Sequence, residues 1–252
     1  MGFIRYCFML FFKSDEVRKY FMQTITLVNL LYSLIPLLIV GYFYNKWANN
    51  STEILYSTIR MIVQLLLVGY ILIYLFHEKN IYLGIFILIF MMLVSSWISL
   101  RNSQDKSLVQ FYKIALAISV SSFLHLILII NFILDLDTFY EPKYVIPIAG
   151  MILANSMNVL SIAIERFDKE ISRNESFEIA RNTAFKSALI PQINSLLAVG
   201  LVSLPGMMTG QILSGVDPLI AVRYQIMVMA TILSSAGISM VIYFILKEKS
   251  IK

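Results

Sequence analysis

The sequence predicts an all-α, polytopic integral membrane protein, a helical bundle of about seven transmembrane helices. Three observations carry this prediction. Of 252 residues, 59% are hydrophobic and the mean hydropathy is +0.79. Only 14% are charged, where a soluble domain carries about a quarter. Apolar runs of roughly 20 residues, the length that crosses about 30 Å of hydrocarbon, recur along the chain.

The spans follow in order. Residues 24–44 are apolar apart from Asn29 and a few hydroxyls, and end on Asn45, Lys46 and Trp47, an interfacial anchor. Residues 54–76 form the second span, with Arg60 near its start, where a long cation can snorkel to the interface. Spans at 81–100, 113–134, 145–165, 188–214 and 220–246 complete the set. No Gly/Ser- or Pro-rich linker divides 24–246, so it reads as one transmembrane domain. A basic, aromatic segment at 1–23 suits an interfacial amphipathic helix or an extension, and 247–252 is a short tail. No small-residue cleavage site follows the apolar start, and the single cysteine, Cys7, has no internal disulfide partner.

Orientation comes from Lys and Arg. Loops 45–53, 101–112 and 166–187 and the tail hold most of the basic residues, so the positive-inside rule places them in the cytoplasm. Their opposites hold only Lys79, Lys143 and Arg223, and 135–144 carries Asp135, Asp137 and Glu141. The basic N-terminal segment pulls against this arrangement. The formal charge of +5 sits in short loops and reports orientation, not a nucleic-acid partner.

Polar and helix-breaking residues concentrate in 145–230. They are costly in lipid and normally face a protein interior or a water-filled path. On the fifth span Asn155, Asn158 and Glu165 share a helical face, with Ser161 nearby. Such a stripe lines a path or bonds a neighbouring helix, and the sequence leaves both open. Gln64 on the second span and Ser203 and Gln211 on the sixth are further candidates for the path. Pro191 suits the first turn of a helix and is expected to mark the start of the sixth span. Pro205, Gly206, Met207, Met208 and Gly210 combine a mid-span Pro-Gly with Gly-xxx-Gly spacing. That predicts a hinge, a discontinuous helix or a close-packed contact.

No Cys/His cluster, phosphate-binding Gly loop or nucleophile elbow occurs, so no catalytic residue, cofactor or ATP site is expected in this chain. The methionines of the second half lack His or Cys partners and read as packing, which leaves any metal site unknown. His77 and His125 are isolated. The charged stretch 166–187 suits a helix or helical pair protruding into the cytoplasm, with Glu165, Arg166, Arg173, Arg181 and Lys186 available to a soluble partner.

Four stretches carry a resemblance: VIPIAGMILANSMN (145–158), ALIPQINSL (188–196), VGLVSLPGMMTGQILSGVDPL (199–219) and AVRYQIMVM (221–229). With RMIVQLLLVGYILIYLF (60–76), they resemble the FetB-type ABC permeases, bacterial iron-export permeases with plant relatives tied to aluminium tolerance. The resemblance implies a multi-pass subunit of the cell membrane, working as a permease homodimer with a separate ABC ATPase subunit that binds ATP and Mg. It implies export of iron or another metal ion. The 166–187 stretch departs from the family in being shorter and in lacking a Gly-containing turn. The alternative is an ATPase-independent secondary transporter or channel for a small polar solute. That reading calls for a membrane-embedded acidic coupling residue, and no span has one at its middle.

Overall fold

The structure, a computed structural model, describes residues 25–48, 52–78, 80–135 and 140–250. The expected N-terminal segment 1–23 lies outside the described residues. Nine α-helices follow among those described: α1 (Leu27–Tyr32), α2 (Leu34–Ala48), α3 (Glu53–Glu78), α4 (Ile81–Leu100), α5 (Leu108–Leu128), α6 (Pro142–Ser172), α7 (Phe177–Ala198), α8 (Gly206–Leu213) and α9 (Pro218–Lys249). A π-helical turn, Ile129–Ile133, extends α5.

Among the described residues, six stretches are long and apolar enough to cross a membrane: Val28–Ala48, Glu53–Leu75, Ile81–Leu100, Leu108–Ile133, Pro142–Ser172 and Pro218–Lys249. The sixth expected span, 188–214, is not one helix. Val199 turns to extended backbone at the end of α7, Gly200 adopts φ +82°, and helix resumes only at Gly206. The cause is local. Pro205 has no N–H and disfavours helical backbone at Leu204 before it, which together with the glycine at 200 favours a break over a continued ladder.

The chain forms two compact units. One comprises residues up to His77 together with Gly210–Asp217. Within it the Tyr44 hydroxyl donates to Glu53 Oε2 at 2.6 Å, joining α2 to α3 across their connection. Both helices leave most of their large apolar side chains exposed, as a lipid-facing helix does.

The other unit, Glu78–Thr209 and Pro218–Lys252, holds the core. In it α6 is central and packs against α4, α5, α7 and α9. Its interfaces use small side chains, among them Ser95 and Ser99 on α4, Ala117 and Ser121 on α5, and Ser235 and Ala236 on α9, all buried. Small residues let helices approach closely where lipid removes the hydrophobic drive between them. Hydroxyls tie the contacts: Ser99 Oγ donates to the Met157 carbonyl at 3.1 Å, and Ser121 Oγ to that of Ser235 at 2.8 Å. His125, isolated in sequence, is buried between α5 and α9, with Nδ1 2.7 Å from the Ser121 carbonyl and Nε2 2.9 Å from Ser234 Oγ.

One end of this unit is polar and basic. Gln110 Nε2 donates to the buried Tyr243 hydroxyl at 2.6 Å, and Lys247 Nζ donates to Gln110 Oε1 at 3.3 Å. The Gln104 backbone N–H donates to Asp168 at 2.9 Å, pinning the α4–α5 loop to α6. At the same end α6 and α7 run past the apolar stretch and join in a helical hairpin, the helical pair expected of 166–187. A left-handed Asn174 (φ 63°) makes the turn that glycine usually makes. Its N–H bonds the Ile171 carbonyl and that of Glu175 bonds Glu170, both at 3.0–3.2 Å. These bonds satisfy two of the terminal carbonyls of α6.

Candidate functional site at the helix break

Pro191 does not mark a helix start. It lies well inside α7, where the hairpin has lengthened the helix towards its N-terminus. Next to it, Gln192 Nε2 donates to Asn155 Oδ1 at 3.0 Å, and Asn155 Nδ2 donates to the Met151 carbonyl at 2.8 Å. Two amides thus cross-link α6 and α7 in the middle of the apolar stretch of α6.

The chain after them is held by its own backbone. The N–H groups of Val202 and Ser203 bond the Ala198 carbonyl at 2.8 and 3.2 Å, and the Gly200 N–H bonds the Ser203 carbonyl at 3.0 Å. The result is a tight non-helical loop inside the stretch that the sequence reads as a span. Within a membrane, irregular backbone is tolerated only where it is covered by protein or lines a cavity.

Two cavities flank this loop. The polar one, about 480 Å³, is lined by Asn155, Gln192, Asn194, Ser195 and Ser203, with Pro205 and Met229 in its wall. The apolar one, about 650 Å³, is lined by Leu196, Gly200, Met208, Ile226 and Leu233 among others, and shares Val199, Leu204, Pro205 and Met229 with the first. Gln225 also lines the apolar cavity, and its Oε1 is buried with no hydrogen-bond partner. Among the described residues, no ionisable side chain lines the polar cavity. Its amide and hydroxyl groups can replace part of a hydration shell without holding a fixed charge.

The structure distributes the expected path residues unevenly. Asn155 and Ser203 meet at the polar cavity. Asn158 is exposed and Ser161 is buried, and neither lines that cavity. Gln64 and Gln211 belong to the other unit, the first exposed and the second half-buried. Pro205 and Met208 line the cavities, and Met207 packs against the core. A Cβ added at Gly206 or Gly210 meets no described atom within 4 Å. Sequence reasoning missed Gln192, Asn194 and Ser195. Three polar side chains within four residues of an apolar run were the available signal.

The expected coupling residues gather on the hairpin. Glu165 pairs with Lys169, and Arg166 Nη2 lies 2.7 Å from the buried Glu170, which also meets Arg173 at 3.4 Å. Arg181 lies 3.9 Å from Glu178, and Lys186 is exposed. Buried Ala180, Ala184 and Ala188, at helical spacing, seat α7 in the core. The hairpin is therefore a stiff projection with a charged surface. Among the described residues no group of three or more His, Cys, Asp or Glu is placed to hold a metal ion.

A family model described as "Uncharacterised protein family (UPF0014)" matches residues 25–251. The chain is 34% identical over 208 residues to the UPF0014 membrane protein slr1647 of Synechocystis, covering 76% of this chain and 80% of that one. It is 33% identical over 208 residues to the probable iron export permease protein FetB of Escherichia coli (75% and 78%). To the protein ALUMINUM SENSITIVE 3 of Arabidopsis thaliana it is 28% identical over 222 residues (82% and 80%). No solved structure matches.

Proposed function

The chain belongs to the UPF0014 family, and we propose that it is the membrane-spanning permease subunit of an ABC transporter of the cell membrane. On this reading it exports iron or another metal ion, and a separate subunit hydrolyses ATP. The observation that carries the reading is the broken helix beside the polar cavity, with its amide cross-link between Asn155 and Gln192. Discontinuous helices next to a cavity are a recurrent transporter device, because irregular backbone offers polar groups to a cargo in mid-membrane. The protein relative named as a probable iron export permease supports the cargo class.

The parts take distinct roles. Oxygen atoms of Asn155, Gln192, Asn194, Ser195 and Ser203 meet a cation that keeps part of its water, since Mg- and Fe-like ions accept such ligands. Neutral ligands hold it weakly enough to release it. The α6–α7 hairpin receives the ATPase and passes its closure to α7, whose far end is the break. Gly200 and Pro205 bound the segment that changes shape.

The test is affinity purification of the tagged chain in mild detergent, with the partner identified by mass spectrometry. The expected result is a stoichiometric ATP-binding subunit whose hydrolysis rises with ferrous or ferric iron. A chain that purifies alone in several detergents, yet still moves solute in vesicles without ATP, overturns the reading in favour of a secondary transporter.

A further inference from the structure

His125 is a buried ionisable side chain that the cavity at the helix break does not use. It lies inside the Leu108–Ile133 span, about 12 Å from its end by the rise of a helix. An ionisable group within a span is costly and marks a functional site by default.

Its two ring nitrogens meet different kinds of partner. Nδ1 lies 2.7 Å from the Ser121 carbonyl, which only accepts, so Nδ1 carries a proton. Nε2 lies 2.9 Å from Ser234 Oγ, which can give or take. The Ser234 hydroxyl has other acceptors as well, the Ala230 carbonyl at 2.8 Å and that of Thr231 at 3.2 Å. Two complete arrangements of the same heavy atoms follow. With neutral imidazole, the Ser234 hydroxyl donates to Nε2. With imidazolium, Nε2–H donates to Ser234 Oγ and the hydroxyl turns to the Ala230 carbonyl. Both N–H groups of the charged ring then have acceptors, which offsets the cost of burying it.

Ser234 is exposed and lines the apolar cavity, so the imidazole stands one hydroxyl away from that space. The surroundings are poor in other titratable groups. α4, α6 and α9 pack against α5. Tyr82 is the titratable side chain of α4, Tyr144 is the one on α6 between Lys143 and Glu165, and α9 has Tyr224 and Tyr243 between Arg223 and Lys247. On α5 itself Tyr112 and Lys113 precede His125 by three turns. Tyr140 and Tyr224 pack on the cluster that holds Leu126 and Ile129. Phenols ionise only near pH 10, whereas imidazole is the side chain that ordinarily changes charge between pH 5 and 8. Asp135, Glu141, Lys143 and Arg223 stand at or near the ends of their helices.

We propose that His125 and Ser234 form a proton-binding site, through which the bundle takes up and releases a proton between α5 and α9. A protonated water at the cavity gives a proton to Ser234 Oγ as the hydroxyl passes its own to Nε2. Neutral water is left, the ring becomes imidazolium, and the new hydroxyl proton turns to Ala230. Release runs the same steps backwards, with water as the acceptor. The Ser121 hydroxyl closes the same seam by donating to the Ser235 carbonyl, so uptake strengthens the α5–α9 contact without rearranging it. The site requires no particular cargo.

The sequence has two histidines, so a His77→Gln protein with a histidine-free tag leaves His125 as its sole imidazole. Labelled with ¹⁵N-histidine and reconstituted in liposomes, it is read by solid-state NMR, whose ring nitrogen shifts distinguish the two tautomers and the cation. The expected result is the Nδ1–H tautomer at pH 8 and a doubly protonated ring at pH 5. At a pH where both forms are seen, Ser234→Ala is expected to lower the ratio of charged to neutral ring roughly tenfold, because Nε2–H loses its acceptor. Ser234→Thr keeps the hydroxyl and the parent ratio. A ring that stays neutral at pH 5 overturns the proposal, a reading that needs no substitution at the site, and so does the Nε2–H tautomer at pH 8. A ratio unchanged in Ser234→Ala overturns the part given to Ser234.

Discussion

Gln192 donates to Asn155 at 3.0 Å, and through this bond α7 is tied to α6 within two turns of the point where α7 ends. Removing either partner strands the other amide in a low-dielectric setting, which costs about 1–3 kcal/mol. Asn155→Leu is expected to lower thermal stability by that order and to reduce transport at matched expression. Gln192→Leu is expected to do the same. In the double variant the stability loss is less than the sum, while transport stays low, which separates a packing role from a path role. Unchanged flux in both single variants would remove these residues from the path.

The break makes two further positions sensitive for different reasons. Gly200 sits at φ +82° with open space where a Cβ would stand. Gly200→Ala therefore meets a backbone penalty of about 1–2 kcal/mol and no clash. Pro205→Leu restores an N–H and lets helix extend towards Leu204. Lower flux with the protein still inserted is the expected outcome for Pro205→Leu, read by vesicle uptake against membrane abundance.

Gly84 faces Tyr140. A Cβ there would overlap the Tyr140 ring and hydroxyl, which leaves the ring no room. Gly84→Ala is expected to destabilise by about 1–3 kcal/mol, as overpacking does. Tyr140→Ala in the same chain should recover most of that loss, measured as a double-mutant cycle of thermal midpoints. If the two substitutions add, the contact does not hold in solution.

Asp105 gives a pH signature. The Ser107 backbone N–H holds its carboxyl below the ordinary carboxylate range, with help from the Ser107 hydroxyl and the Lys247 and Lys113 charges. Because the folded value is depressed, the stabilisation is present above the unfolded value of about 3.9 and is lost as pH falls through the folded one. Asp105→Asn should flatten the acid limb of a stability profile below about pH 4 and change little at neutral pH. The carboxylate is largely solvated, so the effect is small.

Asn174 tests the hairpin turn. Its φ of 63° suits glycine better than any other residue. Asn174→Gly is expected to be neutral, and Asn174→Val to cost about 1–2 kcal/mol and loosen the hairpin. Faster proteolysis between Arg173 and Ser176 in the Val variant, with none in the Gly variant, is the check.

Much of the fold was legible because lipid imposes a simple rule: a spanning segment satisfies its own backbone and shows apolar side chains outward. The α4 boundaries, 81–100, were read from hydropathy alone. The helical pair at 166–187 was read from its charge pattern. The turn was not, since Asn174 takes a conformation that the eye seeks in glycine. The broken sixth span was half legible. Pro205 announced a break, but the loop begins six residues earlier, at Val199, where the Ala198 carbonyl collects the backbone N–H groups.

The sequence by itself determined the membrane class, most of the helical spans, the basic end and the family, because each depends on local composition or on a contiguous motif. Only the tertiary structure decided which polar residues meet. Asn155 and Asn158 are three residues apart on one helix, yet the first faces Gln192 and a cavity while the second is exposed. The same folding buried His125 between two helices and brought Trp97, Arg101 and Lys106 to one pocket. Such meetings depend on crossing angles and depths between helices, quantities that the spacing of residues along one helix does not contain.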